Sequence, residues 1–251
     1  MNLSDKNHHP RDGTISSEEK SHVYMIHGIN SKPKSVTTLI HDYFPVFDAD
    51  KVLKKMESSG SLESPKYAGK TPKQIKREWK KSGKEASQLG TKMHKCIEQY
   101  INKERVDEPD TKEFLMFLSF WKEFGEKYPF LEPYRTEWIV YDEDIPLAGS
   151  IDCVLENKNG ELVILDWKRS KEIKMSNRYE KGFGIFSEYD NCNYSHYTLQ
   201  LNIYRTILER KYKKRVAHML LVVLHPNQDS YICLNVDRID LGEKWNLLIK
   251  S

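Results

Sequence analysis

Two apolar runs that end in charge constrain this chain more than any other feature. Gly149-Ser150-Ile151-Asp152-Cys153-Val154-Leu155 and Leu162-Val163-Ile164-Leu165-Asp166-Trp167-Lys168 flank the polar stretch Glu156-Asn157-Lys158-Asn159-Gly160. Short apolar segments around an Asn/Gly turn predict a β-hairpin. Side chains two apart on a strand leave the same face, so Asp166 and Lys168 emerge together. Charges closing a buried strand are costly unless they hold a metal or one another. The hairpin therefore predicts a sheet with a metal-dependent site at one end; a buried Asp–Lys pair, with Asp152 capping a turn, is the structural alternative.

The residues around the hairpin indicate its neighbours. Helical character runs from Ser35 to about Met56, interrupted at Pro45, and a Ser/Gly/Pro-rich linker spans Ser58 to Gly69. Thr71, Pro72 and Gln74 supply an N-cap, a first-turn proline and a partial capping box, predicting a helix to about Lys81. Gly83 breaks the pattern, and a second helix is expected from about Lys84 to Ile101. Asp110 with Glu113 opens a third, whose apolar face is Phe114, Phe117, Leu118, Trp121 and Phe124. Strands are expected over 136–141, 147–155 and 161–168, a helix over about 196–211, and strands over 217–224 and 231–236. The fold class is α/β (α+β): a central mixed β-sheet flanked by helices, with an N-terminal helical extension. Residues 1–22 read as a disordered tail, 23–83 as the extension and 84–251 as the core.

No apolar run approaches the roughly 18 residues of a membrane span. Met1 to Lys20 is polar and carries Asp5, Asp12, Glu18 and Glu19, unlike a secretory signal. The four cysteines, Cys96, Cys153, Cys192 and Cys233, form no C-x-x-C pair, so neither zinc nor an iron–sulfur cluster is supported. A reducing, intracellular setting is expected, whether cytoplasm, nucleus or a virus- or phage-infected cell. Net charge is only +3, yet Lys70, Lys73, Lys76, Arg77, Lys80, Lys81, Lys84, Lys92 and Lys95 face only Glu78 and Glu85 in their stretch. Two further basic groups are Lys168 to Lys181 and Lys211 to Arg215. Each reads either as a solvated face or as a track for a phosphate backbone.

Phosphodiester hydrolysis needs a divalent metal to neutralise charge and activate water, and such a metal takes hard oxygen ligands. Asp152 and Asp166 offer two carboxylates, and the backbone carbonyl of Trp167 offers a third oxygen. Lys168 beside them would orient or deprotonate water, or stabilise the transition state. His94 and Glu98 share a helix face at i,i+4, where a histidine would meet the metal or a phosphate. Glu137 precedes the hairpin and is a further metal candidate. Gln200 and Tyr204 share a face of the later helix, with His196 and Tyr197 a turn earlier, suited to contacts with the lysine or a nucleic-acid backbone. Between Arg169 and Ser195, basic and aromatic residues alternate, among them Arg169, Lys171, Lys174, Arg178, Tyr179, Phe183 and Phe186. This segment is expected to form a flap or arch for a single strand.

Gly90-Thr91-x-x-His94, Glu137, Gly149-x-x-Asp152, Asp166-x-Lys168 and Gln200-x-x-x-Tyr204 occur in one order. In that order the chain resembles PD-(D/E)XK nucleases of the RecB-like branch, which includes lambda-type exonucleases and the mitochondrial genome maintenance exonuclease. The resemblance spans about residues 84 to 225. It implies a restriction-endonuclease-like core of a helix, three antiparallel strands, a second helix and a further strand. It also implies Mg²⁺ or Mn²⁺ at Asp152 and Asp166, with His94 nearby and Lys168 catalytic. Ile151 stands where the family name has proline, the cysteines of the iron–sulfur members are missing, and no helicase loop is present. The expected activity is that of a metal-dependent deoxyribonuclease, an exonuclease in the favoured reading and a structure-specific endonuclease in the alternative, acting on single-stranded DNA or duplex ends, with replication or recombination proteins as partners. A catalytically silent nucleic-acid-binding module on the same fold is the competing expectation.

Overall fold

Where apolar residues alternate, strands pair. The computed structural model describes residues 2–18, 23–28 and 32–250. In chain order the elements are α1 (Leu3–Lys6), β1 (Ile15–Glu18), β2 (Val23–Ile26), β3 (Lys34–Ser35), α2 (Val36–His41), α3 (Ala49–Ser58), α4 (Pro72–Ile101) and α5 (Lys112–Lys127). There follow β4 (Glu132–Asp142), β5 (Leu147–Glu156), β6 (Glu161–Lys168), α6 (Asn193–Lys211), β7 (Arg215–Val223), β8 (Ile232–Asn235) and α7 (Gly242–Lys250). The chain divides into two units, one of Met1–Pro45 with Met93–Ser251 and one of Val46–Lys92.

The larger unit holds a mixed sheet. β4, β5 and β6 are antiparallel, β7 runs parallel to β6, and β8 returns antiparallel to β7. A parallel step needs a crossover, and α6 supplies it. Period-two alternation sorts the side chains: Val154, Leu162 and Ile164 join the core shared with Leu199, Ile203 and Ile207 of α6. Cys153, Leu155, Val163, Leu165 and Trp167 join a second core with Phe114, Phe117 and Phe120 of α5 and Met93, Cys96 and Ile97. Strand β6 is thus buried on both faces, which accounts for its continuous apolar run.

β5 is bordered by β4 along its length, but its other edge changes partner. Leu147 and Ala148 pair with β3, Cys153 to Glu156 pair with β6, Gly149 to Ile151 have β4 alone, and Asp152, opposite Glu137, has no ladder partner on either side. The gap in the ladder lies at Gly149-x-x-Asp152.

The smaller unit is helical. Thr71 and Gln74 complete the capping box, with Thr71 N–H donating to Gln74 Oε1 at 2.7 Å and Gln74 N–H to Thr71 Oγ1 at 3.3 Å. Trp79 meets the rings of Phe47 and Tyr67 edge-on.

Three expectations are corrected. Gly83 does not break α4, which is continuous from Pro72 to Ile101; one interior glycine costs about 1 kcal/mol, which flanking helix formers absorb. The N-terminal tail expected over 1–22 is structured where described: Asp12 accepts from Arg135 Nη1 at 2.6 Å and Trp138 Nε1 at 3.0 Å, and Arg11 bonds Glu143. Residues 1 and 19–22 lie outside the described residues. The stretch 23–83 is not one helical extension, since β2, β3 and α2 fall in the larger unit and Val46–Lys92 forms the smaller one.

Candidate active site

Trp167 anchors the site from below. Its ring is 1% exposed and meets Phe117 and Phe120 edge-on, at 5.5 and 5.8 Å between centroids. That packing fixes the backbone of β6 where it has passed the end of its pairing with β5. The Trp167 N–H donates to Asp152 Oδ2 at 2.8 Å, and the Trp167 carbonyl accepts from His94 Nε2 at 2.9 Å. Two side chains thus replace the missing ladder bonds, as buried backbone groups require.

With Nε2 donating, Nδ1 of His94 turns to the carboxylates, 3.6 Å from Asp152 Oδ1 and 3.7 Å from Glu137 Oε1. Ligand atoms of His94, Glu137 and Asp152 all lie within 4.8 Å of one another. Glu137 reaches inward from a kink in β4, at φ +43°, and Ser150 Oγ donates to its Oε2 at 2.8 Å. A non-glycine residue in this region carries strain of about 1–3 kcal/mol, typical of functional positions.

Electrostatics tie the group together. Burial works against a charged His94, but Asp152 and Glu137 outweigh it and push its pKa up to about 9. Burial, reinforced by the Asp166 charge and opposed by His94, pushes the Asp152 carboxyl up to about 7. Burial would raise Glu137 as well, but the neighbouring His94 charge, with the Ser150 hydroxyl and Lys168, holds it below the usual carboxylate value. Lys168 Nζ lies 2.7 Å from Asp166 Oδ2 and 5.0 Å from the centre of the Tyr197 ring. Burial opposes its charge, yet Asp166 and Asp152 hold its pKa above that of an ordinary lysine.

The sequence-derived set is therefore partly assembled. His94, Asp152 and Glu137 converge. The Asp166 carboxylate turns to Lys168 and stands outside that group, and the Trp167 carbonyl is occupied by His94. Gln200 Nε2 donates to Tyr204 Oη at 3.2 Å, and the Tyr204 ring lies over Gly149, where an added Cβ would come within 2.7 Å of Cε1. Glu98 is half-buried in α4. Arg169, expected on nucleic acid, is engaged by Glu113 of α5 at 2.6 Å in a pair 11% and 12% exposed. Lys171 and Arg178 are exposed.

The segment expected as an arch is cross-tied. Asn177 Nδ2 donates to the Asn191 carbonyl at 2.8 Å, Asn193 Nδ2 to the Glu172 carbonyl at 2.8 Å, and Phe186 is buried against Tyr43 and Phe44. Tyr179 and Phe183 stay on the surface, 86% and 50% exposed.

Sequence reasoning missed Ser150, Glu113 and Tyr24. Ser150 was legible, since it lies two residues before Asp152 on the same strand. In the sequence Glu113 has the place of a helix-capping residue, and nothing local marks Tyr24, a buried residue of β2 whose hydroxyl burial and the Glu137 charge hold above the usual phenol value.

Among solved structures the chain is similar to a protein designated SSO0001, at 14% identity over 89% of this chain and 75% of that one, with a TM-score of 0.35. It is also similar to a candidate exonuclease from Eubacterium rectale, at 12% identity over 63% of each chain, with a TM-score of 0.37. No curated protein matches its sequence. No helix among the described residues is long and apolar enough to cross a membrane. The model of the PD-(D/E)XK nuclease superfamily matches residues 115–244, just over half of the 251-residue chain, from α5 through β4, β5 and β6 to the start of α7. The chain belongs to the PD-(D/E)XK nuclease superfamily.

Proposed function

We propose that this chain is a divalent-metal-dependent deoxyribonuclease of the RecB-like branch, working as an exonuclease on single-stranded DNA or DNA ends in replication, repair or recombination. The observation that carries the reading is the convergence of His94, Glu137 and Asp152 beside the Asp166–Lys168 pair. The donor set fits Mg²⁺ or Mn²⁺: two carboxylates give hard oxygens, and the imidazole tips the preference towards Mn²⁺. His94, Glu137 and Asp152 would hold the ion, with Asp166 and the Trp167 carbonyl at its border. When bound, such an ion neutralises phosphate charge and makes water a better nucleophile.

The chain's own groups then divide the work. Lys168, kept protonated by Asp166 and Asp152, acts as a fixed cation for a phosphate oxygen rather than as a base. Tyr197 holds its ammonium by a cation–π contact. Asp166 orients Lys168, and Ser150 orients Glu137. Exposed Tyr179, Phe183, Lys171 and Arg178 suit stacking and backbone contacts to a single strand.

Cleavage of end-labelled DNA tests this, comparing wild type with Asp166→Ala and Lys168→Ala in Mn²⁺, Mg²⁺ or EDTA. Metal-dependent cleavage lost in both variants is expected; its absence in wild type, or its persistence in both variants, removes the reading. Linear DNA degraded while closed circles survive is the exonuclease outcome.

A further inference from the structure

α4 carries a cationic stripe that the metal site does not use. Lys73, Arg77, Lys80 and Lys84 are four, three and four residues apart, a spacing that sets them on one face of the helix. All four are exposed. Nearby lysines are engaged: Lys70 with Glu78 at 2.8 Å, Lys76 with Asp50, and Lys81 with Glu85 at 3.8 Å. Among the described residues, none of the four in the stripe has an ion-pair partner. Like charges at this spacing destabilise a helix by a few tenths of a kcal/mol each, and Gly83 beside them costs about 1 kcal/mol more. A face needed only for solubility would mix both signs.

At 1.5 Å rise per residue, the stripe runs for about 16 Å with a charge every 5–6 Å or so, comparable with successive backbone phosphates. A basic helix lying on a membrane needs an apolar face beside its cations. Between Pro72 and Lys92 the one large exposed apolar residue is Leu89, and it falls off the stripe.

We propose that this stripe is a second nucleic-acid contact, gripping about four phosphates of a strand by charge alone and without reading bases. The choice of nucleic acid as the polyanion rests on the nuclease reading above. The test is fluorescence anisotropy of a labelled 30-nucleotide oligodeoxythymidylate, titrated with the full chain in EDTA across a series of KCl concentrations. Wild type is compared with the Lys73→Gln, Arg77→Gln, Lys80→Gln, Lys84→Gln quadruple variant, in which glutamine keeps helix propensity. Each single-strand phosphate contact contributes about 0.7 to the salt slope, so the magnitude of the slope should fall by roughly 3. A fall of less than about half that overturns the proposal. Lys73→Arg, Lys80→Arg, Lys84→Arg should keep the full slope, and a fall there would likewise overturn it.

Phosphatidylserine vesicles form a separate arm; loss of vesicle binding with the oligonucleotide slope intact would mark a membrane contact and sink the idea. Hydrolysis of bis-p-nitrophenyl phosphate with Mn²⁺, a single phosphodiester, is expected to be equal in wild type and the quadruple variant. If wild type fails to hydrolyse it while the slope still falls, the nuclease reading is lost and the stripe stands.

Discussion

Gly149→Ala tests how the sheet gap is filled. Gly149 lies in β5, and its missing side chain makes room for Tyr204, which is 3% exposed. An added Cβ would lie 2.7 Å from Tyr204 Cε1, 2.8 Å from Oη and 3.2 Å from Cζ. Carbon atoms prefer about 3.5–4.0 Å, so the ring must retreat by about 1 Å into packed core. Overpacking of this kind costs about 1–3 kcal/mol, or roughly 2–6 °C in melting temperature for a chain of this size. Tyr204 shares a helix face with Gln200 and Tyr197, and Tyr197 carries Lys168. A shift of 1 Å there is worth about a hundredfold in turnover. Urea unfolding and single-turnover cleavage measure the two effects. Tyr204→Leu removes the clashing atoms, so in that background Gly149→Ala should cost less than about 0.5 kcal/mol; Tyr204→Phe keeps Cε1 and should give no such relief. A single-variant loss under about 0.5 kcal/mol, or an equal penalty in the Leu background, refutes the argument.

Lys168→Met should lower cleavage by about 10²–10³ while metal affinity, read by calorimetry, stays within a few fold; a loss under tenfold would remove the lysine from the transition state. Glu137→Gly should be about 1 kcal/mol more stable than Glu137→Ala in urea, because only alanine keeps the positive-φ strain; an alanine variant as stable as the glycine one speaks against strain. Asp12→Ala leaves Arg135, 8% exposed on its side chain, without its partner and should cost about 3–5 kcal/mol; a cost below about 1 kcal/mol would mean the N-terminal segment is not fastened there. The His94 pKa is raised from 6.5 to about 9, so in metal-free protein its stabilisation is complete below pH 6.5 and lost as pH rises through 9. Metal displaces that proton, so the melting-temperature gain from saturating Mn²⁺ should grow between pH 6.5 and 8.5; a flat or falling gain contradicts it.

The hairpin was legible because period two, an Asn/Gly turn and β-branched content agree, and Asp166 and Lys168 share a face by that same period. His94 was legible only as a helix position; its partner, the Trp167 carbonyl, is 73 residues away, and no local signal carries such a contact. Glu137 looked like an ordinary strand residue because no glycine or turn residue beside it marks the positive φ its backbone takes opposite the unpaired Asp152. The N-terminal segment misled for a physical reason: its polar composition suggests disorder, but Asp12 and Arg11 have partners on β4 and in the turn after it that lie more than a hundred residues on. Arg169 misled in the opposite direction, since a basic residue beside the motif is absorbed by Glu113.

The gap in β5 joins these observations. A strand edge with no neighbour leaves backbone groups that must be bonded. Here β3 takes Leu147 and Ala148 and β6 takes Cys153 onward, while the facing edge of β6 at Trp167 is completed by Asp152 and His94. The same two side chains then present their remaining ligand atoms to Glu137. The groups that mend the sheet are thus the groups offered to a metal, and each does both by virtue of having two polar atoms. Asparagine at 152 keeps an oxygen for the Trp167 N–H but carries no charge, whereas alanine leaves that N–H bare at a cost of about 1–3 kcal/mol. Stability should therefore separate Asp152→Asn from Asp152→Ala even where both abolish metal binding. Equal stability would mean that the ladder gap is not mended by this carboxylate.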